Sequence, residues 1–227
     1  MEAPVGLEMQ SLMKQLFTRP DAVARRIRSN SPLQSALLER FKPQLDALRE
    51  KSAPIDKLYR RFLPPLKPDA TIAFFGHGTG DELLHIRKYA PDARLFAVDN
   101  TRDPQIRTDA VMTELATGAE HIGWDLAKTK PVRLIQRLGE TPDLIICRHP
   151  NIKEVPEMSD VIATWARVLA TAGGHMLVTT YNPLEAQIVL TDTKATPMTL
   201  SMWNDGAMVV DRDTGESLRS DQYVLVL

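Results

Sequence analysis

From residue 71 to residue 181 the chain repeats one pattern: a short apolar run, a turn, then a longer stretch with apolar residues on one side. The runs are TIAFF (71–75), RLFAV (94–98), HIGW (121–124), DLIIC (143–147) and HMLVTTY (175–181). Between them DELLHIRKY, DAVMTELAT (109–117), VRLIQRLG (132–139) and SDVIATWARVLA (159–170) read as helices, the last closed by Gly173-Gly174. A further helix is expected over 184–191. Parallel strands can be joined only by a crossover, so repeated alternation implies a parallel sheet with helices on both faces. Ligands on such sheets bind beyond the carboxyl ends of the strands. The tail carries AMVVD (207–211) and QYVLVL (222–227) around DRDTGES, which reads as an antiparallel hairpin.

Before residue 70 the pattern is helical. In SPLQSALLERFKPQLDALRE, Ser31 suits an N-cap and Pro32 the first helical position. Leu33, Leu37, Phe41, Leu45 and Leu48 form one apolar stripe, which Pro43 is expected to kink or split. Shorter helices are expected over 7–17, 21–28 and 55–62, and the Pro-rich LPPLKPDA (63–70) reads as a linker. This divides the chain into a helical cap or lid (1–67) and an α/β domain (68–227). Charge follows the division: residues 1–67 hold 13 Lys/Arg against 7 Asp/Glu, the rest 15 against 22. The basic clusters RRIR (25–28) and KLYRRF (57–62) could meet phosphate or an acidic partner, or simply form a solvated helix face; neither shows the aromatic interleaving of a nucleic-acid platform.

The net charge of -1 gives no overall reason to expect nucleic acid or an anionic membrane as partner. The single cysteine, Cys147, cannot close a disulfide within the chain, which suits a reducing cytoplasm. No basic segment followed by an apolar one opens the chain, and no apolar run reaches the ~18–20 residues of a membrane span. The five histidines and one cysteine show no metal-ligand spacing, so no metal is expected. A Ser-His-Asp hydrolase would want G-x-S-x-G, which is absent.

The first strand runs into GHGTG, with Gly76, Gly78 and Gly80 at alternate positions. A phosphate loop of the G-x-x-x-x-G-K-[ST] kind is ruled out by the lack of Lys-Ser/Thr after Gly80. A dinucleotide turn wants G-x-G-x-x-G, and here Asp81 takes the place of its last glycine. Asp81 and Glu82 at a helix N-terminus would repel a pyrophosphate and favour a cationic ligand.

A G-x-G-x-G turn after the first strand, with an acidic residue ending the second, resembles the class I S-adenosylmethionine (SAM)-dependent methyltransferases, over residues 70–227. The resemblance implies a Rossmann-like, seven-stranded, mostly parallel sheet with the last strand antiparallel, and SAM as cofactor. It also implies that Gly76, His77, Gly78 and Gly80 form the cofactor turn. Asp99, with Asn100 beside it, would take both ribose hydroxyls. Asp125, next to Trp124 and Leu126, would lie near the adenine, although a turn residue or helix N-cap is an equal reading for it. Arg148 and His149 would lie where cofactor and acceptor meet. One position departs from the family: the usual acid two residues before the first glycine is here Phe74.

Methyl transfer from a sulfonium needs alignment and exclusion of water, and a base only if the acceptor must lose a proton. His149 is the candidate base or acceptor-positioning group, or else a loop histidine bonded to backbone. Tyr181 and Asn182 are candidate acceptor-pocket residues, or a strand cap and turn. DLIICRHPNI (143–152) lacks the Asn/Asp-Pro-Pro-Tyr/Phe signature of many amino-group methyltransferases. It is faintly similar to the Cys-Arg-Asn stretch of chemotaxis receptor methyltransferases, whose inserted β-subdomain has no counterpart here. His77 is expected to touch ligand or lid, His85 and His175 to pack, and Trp165 and Phe41 to lie in the core. The expected function is methyl transfer to an unidentified acceptor, more in keeping with a small molecule than nucleic acid. The alternatives are a catalytically silent binding protein of this fold, or an RNA methyltransferase that uses the basic front part.

Overall fold

The computed structural model describes residues 11–101, 103–194, 199–202, 208–210, 217–219 and 223–227, with the strands over 199–202, 208–210 and 217–219 described as backbone. After a helical segment at 11–16, the helices are α1 (Pro20–Arg28), α2 (Ser31–Lys51), α3 (Ala53–Phe62), α4 (Asp81–Ile86), α5 (Pro104–Thr117), α6 (Pro131–Leu138), α7 (Glu157–Ala172) and α8 (Pro183–Thr193). The strands are β1 (Thr71–Phe75), β2 (Arg94–Asp99), β3 (Glu120–Gly123), β4 (Leu144–Arg148), β5 (His175–Thr180), β6 (Thr199–Met202), β7 (Met208–Val210), β8 (Ser217–Arg219) and β9 (Tyr223–Val226). The main sheet is ordered β3-β2-β1-β4-β5-β9-β6. β1 to β5 pair in parallel, while β9 pairs antiparallel with both β5 and β6. The order reverses between β1 and β4, and such a switch point opens a crevice at the carboxyl ends of the strands.

The period-two alternation of each strand sorts its residues to two cores. Ile72 and Phe74 of β1 join Leu83 and Ile86 of α4 and Ile55, Leu58, Tyr59 and Phe62 of α3. Ala73 and Phe75 face the other way, to Leu134, Ile162 and Trp165 of α6 and α7. Trp165 packs edge-on to Phe75, ring centres 5.4 Å apart. In a third core Val23, Ile27, Leu33, Leu37 and Leu45 of α1 and α2 meet Leu84, Val111, Met112 and Leu115 of α4 and α5, with Phe41 packed at its border.

α3 lies directly on the sheet, and α1 and α2 close over α4 and α5, so the described front helices share the cores of the sheet. Three expectations are corrected. Pro43 does not split α2, which continues through it, and the helix is capped one residue early by Asn30, whose Oδ1 accepts from Leu33 N–H. The tail does not form the expected hairpin: β7 pairs with β8, and β9 enters the main sheet between β5 and β6. Its Val224, Leu225 and Val226 are all buried, as a strand with neighbours on both sides and helices on both faces requires. No helix among the described residues is long and apolar enough to cross a membrane.

Candidate functional site

At the carboxyl ends of β1 to β4 lies a cavity of about 330 Å³. Its lining includes Phe75, Gly76, Asp99, Asn100, Trp124, Asp125, Leu126, Cys147, Arg148 and His149. Seven of the nominated residues, scattered over 73 positions from Gly76 to His149, therefore meet in one place. The volume is at the lower end of the ~300–1,000 Å³ of small-molecule sites.

The turn after β1 is shaped by positive φ angles: Gly76 at 66°, Gly78 at 53° and Gly80 at 81°. A Cβ on Gly76 or Gly78 would meet no atom within 4 Å, so both face open space of the kind a bound group fills. Gly78 N–H donates to Asp99 Oδ2 at 3.0 Å. The same carboxylate accepts from Asn100 N–H (2.6 Å) and Thr101 N–H (2.9 Å) through Oδ1. A carboxylate has about four acceptor positions. Three are taken by backbone N–H groups, which leaves one acceptor position open.

Two turn residues do other work. A Cβ on Gly80 would lie 2.1 Å from Thr113 Oγ1, so Gly80 is demanded by packing against α5 as well as by its φ. His77 does not line the cavity. It is 3% exposed and its Nε2 bonds Glu114 Oε1 at 3.1 Å. Glu114, fully buried, also takes a bidentate pair from Arg107 at 2.7 and 3.0 Å, and Arg107 bonds Asp21 of α1 at 2.8 Å. Burial opposes ionisation of Glu114, but the bonds from His77 and Arg107 outweigh it and hold its pKa below the ordinary value. His77 is thus the near end of a buried charged chain, with its Nδ1 3.6 Å from Asp99 Oδ2. Sequence reasoning missed this chain. Its one local signal was Arg107 and Glu114, two turns apart on one face of α5.

On the far side, Arg148 donates to Glu82 of α4 at 3.1 Å. Burial raises the Glu82 pKa, against the pull of Arg148. Phe74, where the family's acid would stand, is 1% exposed in the core beneath α4. Cys147 lines the cavity with its thiol pushed up to about 12 by burial, which makes it a poor nucleophile. Asp125 is held in a turn by Lys128 at 2.9 Å, which lowers its pKa, and Thr129 Oγ1 donates to its carbonyl. The turn reading therefore describes Asp125, which also lines the cavity.

His149 and Asn151 sit at φ 50° and 53°, a conformation that costs non-glycine residues energy and gathers at functional sites. His149 N–H donates to Thr179 carbonyl, and its ring stacks on Tyr181, centres 3.6 Å apart. Tyr181 does not line the cavity and touches the site through this stack. Asn182 caps α8 by accepting from Glu185 N–H, so the turn reading holds for it. Among the described residues no group of His, Cys, Asp and Glu could hold a metal ion.

No family model and no curated protein sequence matches the chain. Solved structures do. A precorrin-6y C5,15-methyltransferase from Geobacter metallireducens superposes with a TM-score of 0.51 at 9% identity, over 78% of this chain and 85% of that one. A fibrillarin pre-rRNA processing protein from Methanococcus jannaschii gives 0.48 at 16%, over 73% and 68%. A methyltransferase-like protein from Thermoplasma acidophilum gives 0.48 at 14%, over 75% and 73%. The strand order, the glycine turn and the first of these likenesses agree: the chain has the Rossmann-like fold of the class I SAM-dependent methyltransferases.

Proposed function

We propose that the chain is a SAM-dependent methyltransferase acting on a small-molecule acceptor. The observation that supports this most is the cavity that gathers Gly76, Asp99, Asn100, Asp125, Leu126, Arg148 and His149 at the strand ends. The residues present fit the cofactor: open space over Gly76 and Gly78, one acceptor position on Asp99, and the apolar faces of Trp124 and Leu126 in the wall. When bound, SAM supplies a methyl group already activated on a sulfonium. The chain's own work is then to orient and to exclude water. Asp99 fixes a hydroxyl and at the same time holds the glycine turn. His149, held by its stack on Tyr181 and by its own backbone bond, lines the cavity, where it positions an acceptor or accepts its proton.

One observation favours a second reading, a binding protein without catalysis. The family's acid is replaced by core-packed Phe74, and the nearby buried Glu82 is already engaged by Arg148. Calorimetric titration with SAM and with S-adenosylhomocysteine separates the possibilities. Micromolar binding of both is expected. Absence of heat with either ligand, in a sample with native circular dichroism, overturns the proposal and leaves the binding-protein reading. RNA affinity that falls steeply with salt would instead move the acceptor to RNA.

A further inference from the structure

A second cavity, of about 730 Å³, lies along the outer edge of β3. β3 ends the sheet and pairs only with β2. Trp124 N–H donates to Asp99 carbonyl at 3.0 Å, which fixes the parity of the ladder. Glu120, Ile122 and Trp124 turn their backbone groups to β2, and Ala119, His121 and Gly123 turn theirs outward. Arg28 Nη2 caps the outward Ala119 carbonyl at 2.7 Å. No described residue hydrogen-bonds the outward backbone groups of His121 or Gly123. Two donors and two acceptors therefore alternate along the floor of the groove.

Gly123 adds a second observation. Among the described glycines it alone has neither a positive φ nor a close neighbour: a Cβ there would lie 3.6 Å from His121 Cε1, an ordinary contact. Glycine weakens a strand by about 0.5–1 kcal/mol, and one that the chain's own packing does not require marks a place where another backbone comes close.

The walls are basic. Arg25 and Arg28 of α1, Arg107 and Arg137 line the groove against Asp21 and Glu120. Arg107 is held inward by Asp21 and Glu114. Arg137 has only a 3.7 Å contact with Glu120, and Arg25 has no partner among the described residues.

We propose that this groove takes an extended acidic peptide segment of a partner protein as an added strand on β3. Alternating N–H and C=O groups recognise another backbone, whereas a phosphate would need donors alone. Arg25 on one wall and Arg137 on the other select acidic side chains. Trp124, which follows Gly123 and lines both cavities, places the added strand next to the cofactor pocket. The proposal stands whether or not the chain transfers methyl groups.

The test uses the full chain labelled with ¹⁵N, titrated with an alternating Glu–Val peptide and, as control, a Lys–Val peptide. The expected result is that the Glu–Val peptide shifts the His121 and Gly123 amide signals and protects them from exchange, and that the control does neither. The double variant Arg25→Glu/Arg137→Glu should bind about tenfold more weakly, as loss of two exposed charge pairs predicts. Gly123→Pro removes an outward N–H and leaves the β2 ladder intact, as edge prolines do, and should fold but not bind. The proposal is overturned if the Glu–Val peptide leaves His121 and Gly123 unmoved or if the Lys–Val peptide binds equally. It also falls if inorganic phosphate or an oligonucleotide displaces the peptide, or if folded Gly123→Pro binds like the parent.

Discussion

Asp99 holds the glycine turn, and in the proposed function its remaining acceptor position takes a hydroxyl of the cofactor. Asp99→Ala should therefore weaken SAM binding by about 1.5–3 kcal/mol, the range for a hydrogen bond to a charged group, measured by calorimetry. Unchanged affinity in a folded variant would remove Asp99 from the site. Gly80 is a position where the chain itself excludes a side chain. Gly80→Ala should lower stability by about 1–3 kcal/mol through φ strain, with the collision at Thr113 adding to it. Urea unfolding of Gly80→Ala and of Gly80→Ala/Thr113→Ala checks this: the second change should recover the collision and not the strain. A single substitution as stable as the parent would show that the turn can relax. At this scale the sequence announced Gly76, Gly78 and Asp99 by residue type and spacing. It could not announce that His77 turns from the cavity toward α5, because its partner Glu114 lies 37 positions further on and only folding brings the two together.

At the scale of elements, α5 is tied to the glycine turn by Glu114 and to α1 by Arg107. Glu114→Gln leaves Arg107 with Asp21 as its remaining acidic partner, so the variant should cost up to about 3–5 kcal/mol near neutral pH. The pH dependence has a definite sign. The Glu114 pKa is lowered on folding, so its contribution is present above the ordinary value of 4.5 and is lost as pH falls through the folded value. Parent and variant should converge in stability under acid and diverge near neutrality, as urea midpoints across that range will show. A gap independent of pH would mean that ionised Glu114 is not what stabilises the fold. Helix and strand types were legible from period alone over residues 71–181. The fate of β9 was not. An apolar run such as YVLVL states that both faces are buried, but it does not say which neighbours bury them. The expected partner, AMVVD, was the wrong choice, since β7 pairs with β8 and β9 pairs with β5, more than forty residues away.

For the whole molecule, the shared cores mean that the helices between residues 11 and 62 are structural for the sheet. Ile55, Leu58 and Phe62 of α3 are buried on it, each contributing about 1.5–3 kcal/mol, against a total stability of order 5–15 kcal/mol. A fragment of residues 68–227 should therefore lose its near-ultraviolet circular dichroism and fixed side-chain packing. A fragment with a well-dispersed NMR spectrum would restore the picture of a separable lid. The change in charge and composition at the Pro-rich linker did mark where helices give way to the α/β pattern. It could not show whether the two parts share a core, because an apolar helix stripe looks the same whatever it covers. What the sequence by itself determined is what local physics decides: the alternation of strand and helix, the parallel sheet that follows from crossovers, and the glycine turn at a strand end. Tertiary structure alone decided the rest: the helices that cover the sheet, the hydrogen-bonded chain from α1 to His77, the entry of β9, and the place of Gly123 on an edge that no other described strand pairs with. Each of these depends on groups distant in sequence meeting at a few ångströms, and burial and hydrogen-bond satisfaction at such meetings are settled only once the chain has closed on itself.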